Sequence, residues 1–120
     1  MSELFKFPCG AEVEIYDIVS YNTASTLYEK AGDSTAYLGV VTDIIEGEER
    51  LAIIAFNGSH QARTSREVSL HGGAFSVENG RVYLDSTHGS HYRYILPVHP
   101  TDERVEGGVI PAGGLVHIIF

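Results

Sequence analysis

Tryptophan is absent, cysteine and methionine occur once each, and eight basic residues face sixteen acidic ones in a chain of 120. A single cysteine, Cys9, excludes an intramolecular disulfide and any Cys-rich zinc site. No apolar run approaches the roughly 18 residues that a membrane-spanning helix needs, so no membrane partner is expected. The opening residues, Met1 to Pro8, have neither a basic segment nor a long apolar one of the export type, and cytoplasmic residence is the expectation. The shortage of positive charge leaves a net charge of −8. That field repels phosphate backbones and argues against broad nucleic-acid binding. It suits docking to a basic protein partner, such as an enzyme whose groove holds nucleic acid.

Motifs of common catalysis are also missing. There is no Gly-x-x-x-x-Gly-Lys phosphate loop, no Gly-x-Gly-x-x-Gly and no Gly-x-Ser-x-Gly nucleophile elbow. Ser59 and Ser90 each precede a histidine, but a nucleophile and its base meet in space rather than in sequence.

What the chain has in quantity is alternation of period two, punctuated by thirteen glycines. Ala11 to Ile18 alternates as a half-buried strand would. Tyr37 to Ile45 is rich in Val and Ile and largely hydrophobic, the pattern of a central strand buried on both faces. Glu46-Gly47-Glu48-Glu49 reads as the loop of a hairpin leading into Leu51 to Phe56. Glu78-Asn79-Gly80 separates two further strands with the Asn-Gly pair that tight hairpins require. Tyr92 to Val98 and Leu115 to Phe120 add later strands. One short helix is predicted over 24–31, with Asn22 or Thr23 as N-cap and Gly32 after its end. The expected fold is all-β, a single domain over 1–120 built as a small antiparallel β-sandwich or barrel.

Reactive side chains concentrate in one region. Arg50 to His60 and Arg81 to His91 each run from arginine to Gly-Ser-His at an offset of 31 residues. The second copy reads Asp-Ser-Thr-His-Gly-Ser-His from Asp85. If the similarity is structural, His60 and His91 share a rim. Histidine binds transition metals and titrates near neutrality, so His60, Asp85, His88 and His91 are candidate ligand-binding residues, with Arg93, Tyr92 and Tyr94 beside them. A metal, zinc or iron, would draw on His88, His91 and His117. Arg63, Arg66 and Arg93 near these histidines could receive a small anionic ligand such as a nucleotide or sugar phosphate.

Pro111 to His117 is similar to the second histidine motif of the cupin barrels, but it carries one residue too many. No glutamate follows His91 at that family's short spacing, and the resemblance assigns nothing.

Seven tyrosines provide amphipathic contact area, and Tyr83, Tyr92 and Tyr94 fall near the histidines. Exposed tyrosine is enriched in binding surfaces. The reading is a small acidic protein that works by non-catalytic association with a protein partner, of the inhibitor or immunity type that phages and mobile elements encode. The alternative is a ligand- or metal-binding β-barrel, or an enzyme, using the histidine cluster. Homo-oligomerisation stays open.

Overall fold

The computed structural model describes residues 4–32, 38–69, 71–85, 94–95 and 109–119. These form strands β1 (Leu4–Pro8), β2 (Ile18–Asn22), β3 (Leu27–Lys30), β4 (Gly39–Ile45), β5 (Leu51–Ala55), β6 (Ser59–Arg63), β7 (Val68–Ser69), β8 (Gly73–Glu78), β9 (Arg81–Leu84), β10 (Tyr94–Ile95), β11 (Val109–Ile110) and β12 (Leu115–Ile119). All ladders between named strands are antiparallel. The all-β expectation holds among the described residues.

Two five-stranded sheets have orders β1-β5-β4-β2-β3 and β6-β12-β10-β8-β9. With the two-residue strands β7 and β11 set aside, these are the same order traced twice. Leu4, Ile18 and Gly39 open β1, β2 and β4, and 55 residues later Ser59, Gly73 and Tyr94 open β6, β8 and β10. Register follows: Leu4 pairs with Ala55 and Pro8 with Leu51, as Ser59 pairs with Ile119 and Arg63 with Leu115.

Each sheet also curls until its outer strands meet at one parallel bridge, Cys9 with Tyr28 and Thr64 with Val82. Gly10 N–H donates to the Tyr28 carbonyl at 2.9 Å, and Ser65 N–H donates to the Val82 carbonyl at 2.9 Å. The edges that an open sheet would leave unpaired are thereby brought together. The repetition in the fold is not the 31-residue repetition in the sequence. Arg50 to His60 covers β5 and the start of β6, Arg81 opens β9, and the counterpart of β5 is β12.

Successive apolar residues point to opposite faces of a strand, and this divides the core. Ile18 and Val40 of the first sheet pack with Ala62, Phe75, Val77, Ile95, Val116 and Ile118 of the second. Their neighbours Val19 and Val41 pack with Cys9, Val13, Ala52 and Ile54 on the other face. Gly39 to Val41 are buried on both faces for that reason, and β4 is the middle strand of its sheet, but Asp43 and Ile45 are exposed, so the two-sided burial expected over the whole of β4 ends at Val41; Tyr37 lies outside the described residues.

The helix expected over 24–31 is a hairpin instead. Asn22 does act as a cap: its Oδ1 accepts from the N–H of Ala24 at 2.9 Å and of Ser25 at 3.4 Å, and Thr26 N–H donates to the Asn22 carbonyl at 2.8 Å. One turn later Thr26 takes φ 58°, a left-handed conformation that ends a right-handed helix. Leu27–Lys30 then returns as β3 alongside β2. A two-turn helix has too few internal bonds to compete with that ladder.

Ala11 to Asp17 is likewise a looped segment rather than the first part of a strand. Tyr16 adopts φ 76° and Glu14 N–H donates to Asp17 Oδ2 at 2.9 Å, so alternation breaks and only Val13 and Asp17 are buried within it.

Both glycine-bearing hairpins occur where expected. Ile45 pairs with Leu51 around Glu46 to Arg50, and Glu78 pairs with Arg81 around Asn79 and Gly80, whose φ values of 47° and 77° are those of a type I′ turn.

Candidate functional site

The register of the second sheet places several sequence-selected residues at one end. Asp85 N–H donates to the Ala74 carbonyl at 3.0 Å, Ala74 pairs with Tyr94, Tyr94 with Ile119, and Ile119 with Ser59. His60 lies in the next row, opposite Ile118. Asp85 and Tyr94 therefore lie in one row with β8 between them, while His60, one residue on from Ser59, turns to the other face of the sheet. Asp85 Oδ2 accepts from the buried Ser76 hydroxyl at 3.0 Å. His60 Nε2 donates to the Asn57 carbonyl at 2.8 Å, which places its proton on that nitrogen.

His88, His91, Tyr92 and Arg93 lie outside the described residues. Of the three residues expected at a metal, only His117 is described, and among the described residues no three His, Cys, Asp or Glu side chains form a metal-binding group.

His117 stands opposite Gln61 on the neighbouring strand. One residue changes the face of a strand, so Gln61 and His117 share one face of the sheet while His60, Ala62 and Ile118 share the other. At the seam between the two sheets a cleft of about 280 Å³ collects Tyr16, Thr42, Ser59, His60, Gln61 and His117 against the aliphatic wall of Val40 and Val41.

Tyr16 also borders a shallower groove containing Glu14, Ile15, Arg50 and Arg63. The Arg63 guanidinium sits 5.7 Å from the Tyr16 ring centroid and donates to the Gly113 carbonyl at 3.0 Å. A bulky aromatic at φ 76° is uncommon and energetically unfavourable. Tyr16 N–H bonds the Val41 carbonyl at 2.8 Å and helps hold that geometry.

The other expected cation is committed elsewhere. Arg66 forms a two-pronged pair with Glu78 at 2.8 and 2.9 Å and lies 4.1 Å over the Tyr83 ring. The Arg66 hydrogen bond, with that of the Ser65 hydroxyl, holds the Glu78 carboxyl below its ordinary value.

Among the described residues the most extensive aromatic surface is one that the sequence did not point to. Phe5, Phe7, Phe56, Tyr28 and Tyr21 form one chain of ring contacts, with centroids 5.5 Å apart for Phe5 and Phe56, 5.0 Å for Phe7 and Tyr28, and 5.5 Å for Tyr21 and Tyr28. Phe7, Tyr28 and Phe56 pack down onto the first core, while Phe5 and Tyr21 remain 42% and 50% exposed. Leu4 beside them is 57% exposed. The alternation Phe5-Lys6-Phe7 and the pair Tyr21 and Tyr28 were the available signal, but their convergence depends on β1 meeting β3.

In the second sheet the counterparts of Phe5, Phe7 and Tyr28 are His60, Ala62 and Val82. The same position in the fold is aromatic in one sheet and carries histidine and small residues in the other.

No family model, no curated protein and no solved structure matches this chain.

Proposed function

We propose that the protein acts by non-catalytic association with a protein partner of basic character, presenting the aromatic ridge Phe5, Phe7, Phe56, Tyr28 and Tyr21. The observation that supports this is five rings in continuous contact whose two outer members are about half exposed. Clustered, rigidly held aromatics form the hot spots of interfaces. They offer large contact area with few rotamers to immobilise.

The net charge of −8 would steer a basic partner toward the protein and repel acidic competitors. An inhibitor or immunity-type role, as encoded by phages and mobile elements, fits that combination. Each curled sheet reads as a small barrel, giving the ridge a stiff support.

A second reading keeps the end of the second sheet as a ligand site, on the strength of Asp85 and Tyr94 falling in one row on one face.

The test is quantitative capture from source-cell extract by the wild-type chain and by a Phe5→Ala/Tyr21→Ala variant. Recovery of a basic protein that is depleted at least about tenfold by the variant supports the proposal. Equal recovery by both, or recovery only of acidic proteins, overturns it.

A further inference from the structure

We infer that the row Ala74, Tyr94 and Ile119 in the second sheet is a docking surface for a second copy of this chain, which presents the tip of its β2–β3 hairpin. The joint between the two sheets within one chain is the template for that contact.

This internal joint is made by a hairpin tip. Ile18 N–H donates to the Gly80 carbonyl at 2.8 Å, and Gly80 N–H donates to the Ala31 carbonyl at 2.8 Å. The first sheet thus clasps the turn between β8 and β9. Packing there is close, since a Cβ on Gly80 would lie 3.1 Å from Lys30 Cγ. The receiving row runs Leu4, Ala55, Val40, Ile18 and Ala31 across the first sheet. From Ala55 to Ala31 it is buried, and Val40, Ile18 and Ala31 belong to the core shared with the second sheet.

The second sheet repeats this row as Ser59, Ile119, Tyr94, Ala74 and Asp85. Even the bond at its edge recurs: Ala31 N–H donates to the Ile18 carbonyl at 2.9 Å, and Asp85 N–H to the Ala74 carbonyl at 3.0 Å. Yet Tyr94 is 46% and Ile119 40% exposed, where their counterparts Val40 and Ala55 are buried. Paired large apolar side chains, exposed at positions the fold elsewhere uses as a joint, mark an interaction surface.

The first sheet carries the complementary half. Its β2–β3 hairpin corresponds to β8–β9, with Tyr21 opposite Tyr28 where Val77 stands opposite Val82. Val77 is buried, whereas Tyr21 and the tip from Thr23 to Thr26 are exposed. No charged residue occurs from Ile18 to Tyr28, which lets one acidic copy bring this hairpin up to another. The tip is longer than Asn79-Gly80 and has no glycine, so the contact rests on apolar side chains rather than on a Gly80-like clasp. Tip on row is a heterologous contact, which repeats into a ring or a filament.

The inference does not rest on the aromatic-ridge reading, although Tyr21 belongs to both surfaces and assembly would compete with a ridge partner there. Salt separates the two. Copies of charge −8 repel, so self-association should strengthen as salt screens them, while capture of a basic partner should weaken.

The test is sedimentation velocity of the chain from about 10 µM to about 1 mM, at low and at high salt. Average mass should rise with concentration, and more steeply at high salt. Ile119→Glu on the row and Ala24→Glu on the tip should each weaken association at least about tenfold. An equimolar mixture of these two variants should regain dimer and nothing larger, because one intact tip and one intact row remain. Ile45→Glu, at a site nearly as exposed as Ile119 but in neither half, should assemble like wild type. If Ile119→Glu fails to fold, Ile119→Ser takes its place with the same direction expected. A wild-type chain that stays monomeric at about 1 mM in high salt, association that Ala24→Glu leaves intact, or equal losses from Ile45→Glu and Ile119→Glu overturn the inference.

Discussion

Arg50 reaches back to donate from Nη1 to the Gly10 carbonyl at 2.9 Å, and the same nitrogen bonds the Val13 carbonyl. The second sheet meets the matching need with a backbone ladder. There Val68, the counterpart of Val13, pairs with Ile110 in the short ladder of β7 and β11. The first sheet has only a tight hairpin at that place, and one side chain replaces the missing strand.

Arg50→Ala should therefore destabilise the protein by about 2 kcal/mol, because two loop carbonyls lose a charged donor at once. Glu46→Ala removes only the exposed partner of that arginine and should change stability by no more than about 0.5 kcal/mol. Urea unfolding midpoints of the two variants at unchanged slope check the contrast.

Gly39 is the place where β4 lets its neighbour pass. A Cβ there would lie 2.3 Å from Ile54 Cγ2 and 3.1 Å from the Phe56 ring. Gly39→Ala should lower stability by about 1–3 kcal/mol, whereas Gly32→Ala, with nothing within 4 Å, should be neutral or slightly stabilising. Thermal unfolding of both variants decides it, and equal effects would refute the steric account.

Asp17 is 4% exposed, and burial pushes its carboxyl above the ordinary value, against the opposing Glu14 N–H bond and the Lys30 charge at 4.0 Å. With the folded value raised, the unfolded chain gives up its proton first as pH rises. The contribution is thus present below about pH 3.9 and is lost as pH climbs through the folded value. Asp17→Asn should remove that decline, so its stability relative to wild type should improve between pH 3 and 7 on the scale of about 1 kcal/mol. Unfolding curves across that range that stay parallel would refute it.

Cys9 is buried, and desolvation raises its thiol pKa despite the neighbouring Arg50 charge. Both effects leave a neutral, shielded thiol, so modification by a disulfide reagent should proceed only as fast as the protein opens. Its counterpart Thr64 bonds the Pro111 carbonyl at 3.0 Å, much as Cys9 Sγ contacts the Arg50 carbonyl at 3.7 Å. Cys9→Thr should be tolerated within about 1 kcal/mol, as calorimetry of the variant can show.

The hairpins at Glu46 and at Asn79-Gly80 could be read in advance because turn chemistry is local: Asn and Gly reach positive φ at little penalty. The span 24–31 was misread for a related reason. Asn22 carries a true capping signal, but a cap serves one helical turn of a hairpin loop as well as it serves a helix. The choice between them was made by β2, which offers β3 a ladder. Similarly, Ala11 to Ile18 alternates in sequence, yet Arg50 and Asp17 supply hydrogen bonds that stabilise a loop there.

The candidate site was legible only as chemistry. His60, Asp85 and Tyr94 could be selected by residue type, and the register of β6, β8, β10 and β12 was needed to show that Asp85 and Tyr94 share a row and a face while His60 turns to the other. Tyr16, Thr42 and Gln61 carried no signal, since nothing local distinguishes a residue lining a seam from one facing solvent.

Composition and patterning by themselves determined the all-β class, the acidic field, the lone thiol and the tight turns, because each depends on residues within a few positions of one another or on a sum over the chain. Tertiary structure alone decided that one five-strand pattern is traced twice, that β1 meets β3 to assemble the aromatic ridge, and that a cleft bordered by Tyr16, Gln61 and His117 opens between the sheets. Those features join residues tens of positions apart, where strand register and the closing bridges set the neighbours and local sequence preference has no hold.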